Sequence, residues 1–455
     1  MLFRSDAIDN SAGVDTSDHE VNIKILLYDA IARGELAGLE ERNGILAEMT
    51  DEVGHLVLRD NYEQTQAISV TNSLGEPALD DQARFMRALE RAGKLNRAVE
   101  YLPSDDEIAE RRLAKTGLTS PERSVLLAYS KMVLFEELLA STLVDDEYVA
   151  RSLVGYFPTL LQTRYADVMP RHPLRREIIG TVVANTMINR TGSTFVYRMQ
   201  DETGASAEEV TRAFVLVRDV FGMEELWSQI DALDNQIPAA LQSEMFVDAG
   251  RLVLRATLWF LRRRRERLPI AQVLEIFQPA VTALRAQLPG LLAEGDRRAF
   301  EDYVARLAAK GVPGKLAESL GELDALYAAL DVTEVALEQK RDPAIVAALY
   351  FALVGDLELR WFAEKITQLP TETSWQALAR NALRDDLSSQ QRALTTVVTK
   401  LSPEETDPVR MLAAWKGRYA PSLMRLRSMT DELKRAGTLD LAVLSVLLRE
   451  LRSLA

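Results

Sequence analysis

The chain has 455 residues, 47% apolar and 27% charged, with a net charge of −14. That length holds several domains' worth of core, the composition is globular, and the acidity argues against non-specific binding to nucleic acid or to an anionic membrane. It has no cysteine, which excludes disulfides, thiolate catalysis and thiolate metal sites, and its three histidines (His19, His55, His172) are too scattered in sequence for a histidine-rich metal centre.

In chain order, the N-terminus shows no apolar signal segment, and Ala7-Ile8 is the one strand candidate, leading into the glycine-centred stretch Asn10–Ser17. Ser17-Asp18-His19-Glu20 fits a capping box, which predicts that a helix begins there, with Val21, Ile25 and Tyr28 on its apolar face and Gly34 as its stop. A small-residue turn before a helix N-terminus is also an anion site, because free N–H groups and the positive end of the dipole face outward. The residues alone leave both readings open.

Residues 58–69 crowd Asn61, Tyr62, Gln64, Thr65 and Gln66 onto one stretch, read as a polar helix face or an amide network. Thr119-Ser120-Pro121-Glu122 is a dense helix start, and Ser206 with Glu209 is another. Between them, Ile178, Ile179, Val182 and Val183 form an apolar stripe. The following polar run, Asn185 to Ser193, reads as satisfying backbone groups around a helix irregularity or as hydrogen-bonding a neighbouring domain. Long helical patterns recur at 238–265, 269–287, 331–366 and 404–436, and a leucine-rich helix closes the chain at 439–453. Arg262–Arg265 reads as a solvated helix end or an inter-helix salt-bridge patch. Thr71–Asp80, Gly311–Gly314 and Leu369–Thr373 read as connections. The apolar runs Ala213–Val217 and Ala344–Val354 are too short or too interrupted to span a bilayer. There is no Gly-x-Gly-x-x-Gly, P-loop, Gly-x-Ser-x-Gly or His-Glu-x-x-His. The expected fold is therefore mainly α, and the chain carries at most part of a site.

Five segments carry a resemblance: DAIDNSAGVDTSDHEVNIKILL, MTDEVGHLVLRDNYEQTQAIS, LTSPERSVLLAYSKMVLFEELLAS, HPLRREIIGTVVANTMINRTGSTFVYRM and LPIAQVLEIFQPAV. Over most of residues 6–290 the chain resembles the large bacterial NAD-specific glutamate dehydrogenases, and the remainder looks like that family's C-terminal helical region. The resemblance implies the end of a nucleotide-binding domain followed by a multi-helix C-terminal domain. Residues 1–35 would be the remnant of the catalytic, NAD-binding domain, 36–290 a helical region packed against it, and 291–455 a C-terminal bundle. Asn10–Ser17 looks like the superfamily turn Asn-Ala-Gly-Gly-Val-x-x-Ser, with Ala12 where a first glycine is usual. By resemblance, Asn10 and Gly13 would meet NAD, and Ser17 would hydrogen-bond the substrate side-chain carboxylate.

The family's catalytic lysine, catalytic aspartate and dinucleotide fingerprint lie upstream of the matched turn. No catalytic residue and no metal ligand is therefore expected in this chain. The expected partners are the missing N-terminal portion of the same subunit, L-glutamate or 2-oxoglutarate in the complete enzyme, and further copies in a homo-oligomer. Neither nucleic acid nor a membrane is expected, and the location would be cytoplasmic. The chain alone should not turn over glutamate. The alternative is a stand-alone helical interaction module without activity.

Overall fold

The structure, a computed structural model, describes residues 11–263, 268–370, 374–436 and 440–455. These residues form helices joined by short turns, with no strand among them. Ala7-Ile8 lies outside the described residues. The chain divides into two compact units, residues 1–273 and 274–455.

The first unit begins with α1 (Ser11–Ala32), α2 (Leu39–Glu48) and α3 (Thr50–Leu74). It continues through α4 (Leu79–Arg91), α5 (Asp105–Leu113), α6 (Ser120–Leu139), α7 (Ser152–Tyr156) and α8 (Thr159–Arg164). It then runs through α9 (Arg175–Thr191), α10 (Phe195–Thr203), α11 (Ala207–Val220), α12 (Met223–Asp231) and α13 (Ala239–Arg263). Helix α9 is the hub, with α3, α6, α7 and α13 packed around it.

The helix starts read from sequence form at two places. Thr119 and Glu122 make a reciprocal capping box at α6, as do Ser206 and Glu209 at α11, so two orphan N–H groups are satisfied at each end. The box expected at Ser17 does not form. Helix α1 already runs from Ser11, so Ser17 lies inside it, where its N–H belongs to the i→i−4 ladder. The Glu20 carboxylate pairs with Lys24 instead.

The apolar face of α1 is also not the one expected. Val21 and Tyr28 are exposed, and the buried stripe is His19, Asn22, Ile23, Leu26, Leu27 and Ala30. Two polar residues on the inner face mask the stripe in sequence.

The second unit carries α14 (Ile270–Leu291), whose first residues belong to the first unit, then α15 (Glu294–Ala308), α16 (Gly314–Gly321) and α17 (Leu323–Leu326). The predicted helix 331–366 is three helices, α18 (Ala328–Gln339), α19 (Pro343–Asp356) and α20 (Leu359–Thr367). Lys340 at φ 51° and Glu358 at φ 52° break it, and Asp342 caps α19 by accepting from the Ala344 N–H at 2.8 Å. After α21 (Ser374–Leu401), 404–436 divides into α22 (Pro408–Arg418) and α23 (Ala420–Ala436), and α24 (Leu441–Arg452) closes the chain. Helix α21 is the hub here. Its Leu387, Leu394 and Val398 pack in one core with Leu349, Phe362, Trp415 and Leu447. No described helix is long and apolar enough to cross a membrane.

Candidate functional site

The polar residues of the first unit converge where α1, α3, α6 and α9 meet. On α1, Asp15 and His19 are one turn apart and share a face. Across from them, α3 presents Asp60. The ligand-type atoms of Asp15, His19 and Asp60 all lie within 4.8 Å of one another.

The His19 ring is buried and stacks on Tyr156, with centroids 4.5 Å apart and planes at 21°. The Tyr156 hydroxyl donates to Asp18 Oδ2 at 2.8 Å and accepts from Asn22 Nδ2 at 2.9 Å. Burial pushes the Tyr156 phenol well above the ordinary range.

Burial, and then the facing Asp60 carboxylate, raise the Asp15 carboxyl to about 7. Asp60 is raised too, by burial first and then by Glu63. Burial lowers the His19 imidazole, so the ring is held neutral. Lys131 of α6, lowered to about 8 by burial, is the cation that offsets part of this negative charge.

A second polar cluster lies further along α3. Arg190, near the end of α9, donates to Gln66 Oε1 at 2.8 Å, Glu63 Oε1 at 3.0 Å and Asp231 Oδ2 at 2.8 Å. Its guanidinium lies 5.6 Å from the ring centroids of both Trp227 and Phe246. Part of the polar run 185–193 serves the backbone where α9 breaks at Gly192 (φ 85°), Thr191 Oγ1 donating to the Met187 carbonyl at 2.7 Å, and its charged member, Arg190, ties α9 to α3 and α12. In the stretch 58–69, Asn61 and Thr65 bond nearby carbonyls, as the amide-network reading has it, and Gln66 in addition joins a network between helices.

Of the residues singled out as ligand contacts, Asn10 lies outside the described residues. Gly13 and Ser17 are exposed on α1, and Ser17 shares its face with Val14, Val21 and Tyr28, exposed by 67%, 49% and 52%. The structure brings Ser17 to no other polar cluster. His19, Asp60, Lys131 and Tyr156 were not singled out as site residues. An i, i+4 pair of aspartate and histidine was the only local signal for any of them, since Asp60, Lys131 and Tyr156 come from distant elements.

Comparison with known proteins follows the same lines. The family model described as "Glutamate dehydrogenase, C-terminal" matches residues 115–453. The model described as "Bacterial NAD-glutamate dehydrogenase, catalytic domain" matches residues 2–71. Among curated relatives, the chain is 43% identical over 451 residues to the NAD-specific glutamate dehydrogenase of Pseudomonas aeruginosa, covering 99% of this chain. It is 38% identical over 455 residues to that of Halomonas elongata, covering 100%, and 35% identical over 450 residues to that of Mycobacterium tuberculosis, covering 99%. The chain spans 28% of the length of each of these relatives.

Proposed function

Because the chain belongs to the bacterial NAD-specific glutamate dehydrogenase family, we propose that it works as the C-terminal part of such an enzyme and supplies one wall of its cleft. The complete reaction is oxidation of L-glutamate by NAD with water, giving 2-oxoglutarate, ammonia and NADH. The carrying observation is that the catalytic-domain match covers residues 2–71 and so takes in Asn10, Gly13 and Ser17. In this reading Asn10 and Gly13 meet NAD, and the Ser17 hydroxyl donates to the side-chain carboxylate of glutamate. The α1 geometry supports this. Ser17 projects from the exposed face with Val14, Val21 and Tyr28, a stripe suited to cover by the rest of the catalytic domain.

Residues 1–35 belong functionally with the catalytic domain, 36–290 pack against it, and 291–455 form the helical bundle. A homo-oligomer and a cytoplasmic location go with the reading. The relatives align along the whole chain, which favours this role over a stand-alone interaction module.

The test is complementation. The purified chain should not reduce NAD with glutamate. Adding the remaining upstream portion of the subunit should restore turnover, and Ser17→Ala in the restored enzyme should raise the glutamate KM or lower kcat by about tenfold or more, the scale of one lost charge-assisted bond. Turnover by the chain alone, or an unchanged KM and kcat in Ser17→Ala, overturns the corresponding assignment.

A further inference from the structure

The face of α1 opposite Ser17 carries chemistry that the dehydrogenase reading does not use. We propose that Asp15, His19 and Asp60 form a binding site for one divalent ion of the manganese–zinc class. Two carboxylates and one imidazole are a ligand set for such ions, with the imidazole disfavouring magnesium and calcium. The three donor atoms already lie within 4.8 Å of one another. Metal–ligand bonds of about 2.1 Å put neighbouring donors about 3 Å apart, so small side-chain rotations close the site.

The independent observation is His19. It is only 3% exposed, and its Nδ1 is buried with no hydrogen-bond partner. Its Nε2 faces Asp15 Oδ1 at 3.9 Å, too far for a hydrogen bond. A buried imidazole nitrogen without a partner is unfavourable, and buried polar groups are rarely left so.

Nothing donates to the buried Asp15 Oδ2 either. A proton shared between Asp15 and Asp60 would serve the carboxylates but leave the imidazole unsatisfied. A cation between all three engages both carboxylates and one imidazole nitrogen, which the shared proton does not. The surrounding residues fix the ligands: the Tyr156 ring holds the His19 plane, and Asp18 and Asn22 hold the Tyr156 hydroxyl.

The experiment uses the full chain, stripped with chelator and titrated at pH 7.5 with manganese, followed by loss of the free-ion electron spin resonance signal, and with zinc by calorimetry. One ion per chain with a Kd in the micromolar range or tighter is expected. The bound manganese should show electron spin echo modulation from one imidazole nitrogen. His19→Gln and Asp60→Asn should each weaken binding by about 10–100-fold, while Glu20→Gln, at an exposed carboxylate of the same helix paired with Lys24, keeps it. The nitrogen signature in the unmodified chain decides the matter even if a variant fails to fold. Absence of saturable binding up to millimolar ion, binding without the nitrogen coupling, or affinity unchanged in folded His19→Gln and Asp60→Asn overturns the site and leaves a shared proton in its place. The site lies away from Ser17, so its failure leaves the dehydrogenase reading untouched.

Discussion

Arg190 is a charged side chain 95% withdrawn from solvent, its exposure being 5%, and it is held by two carboxylates and an amide from other helices. Removing one partner of such a cluster leaves uncompensated buried charge. Arg190→Met should lower unfolding stability by about 3–5 kcal/mol, read from urea transitions, with Glu63 and Asp231 left facing each other's charge.

Glu122 shows the same logic with a pH signature. Burial would raise its carboxyl. The two bonds from Arg111, at 2.6 and 2.8 Å, and the Thr119 N–H at 2.7 Å outweigh burial and hold it below the ordinary 4.5. A carboxylate lowered in the folded state contributes stability above its unfolded pKa and loses it as pH falls through the folded one. The unmodified chain should therefore lose melting temperature on acidification below about pH 4.5 more steeply than Glu122→Gln. At neutral pH that variant should already be less stable by about 1–2 kcal/mol.

At the scale of the element, helix contacts depend on residues whose role sequence does not mark. Gly180 of α9 faces α6 so closely that a Cβ would sit 3.3 Å from Phe135 Cδ2 and 3.5 Å from Leu139 Cδ2. Gly250 of α13 has nothing within 4 Å of the same position. Thermal unfolding should separate the two. Gly180→Val should destabilise by about 1–3 kcal/mol through overpacking, and Gly250→Ala should stabilise by about 0.5–1 kcal/mol through helix propensity. The divisions of 331–366 and 404–436 belong to the same scale. A continuous apolar pattern does not reveal a single left-handed residue such as Lys340 or Glu358. Asp342-Pro343 and Asp407-Pro408 did carry local start signals for α19 and α22.

At the scale of the whole chain, each unit is organised around one helix that others surround, α9 in the first and α21 in the second. Local opening is hardest where a helix is buried on several sides. Hydrogen exchange should therefore be slowest at Ile179, Val183 and Met187 in α9 and at Leu394 and Val398 in α21, and fastest at the exposed start of α1. Equal protection across α1 and α9 would show that the hub arrangement does not set local stability.

The sequence by itself determined the helical class, the caps of α6 and α11 and the family, because helical periodicity, capping boxes and family motifs are all local in the chain. Tertiary structure decided the rest. It showed Ser17 to be an exposed residue within a helix rather than its cap, since Ser11 onward is helical. It turned Asn22 and His19 inward in place of Val21 and Tyr28, because the inner face of α1 meets polar groups from α3 and Tyr156. It also joined Asp15 to Asp60 and Arg190 to Glu63 and Asp231 across long stretches of chain. Charge pairing across such distances is a property of packing, and no spacing within one helix encodes it.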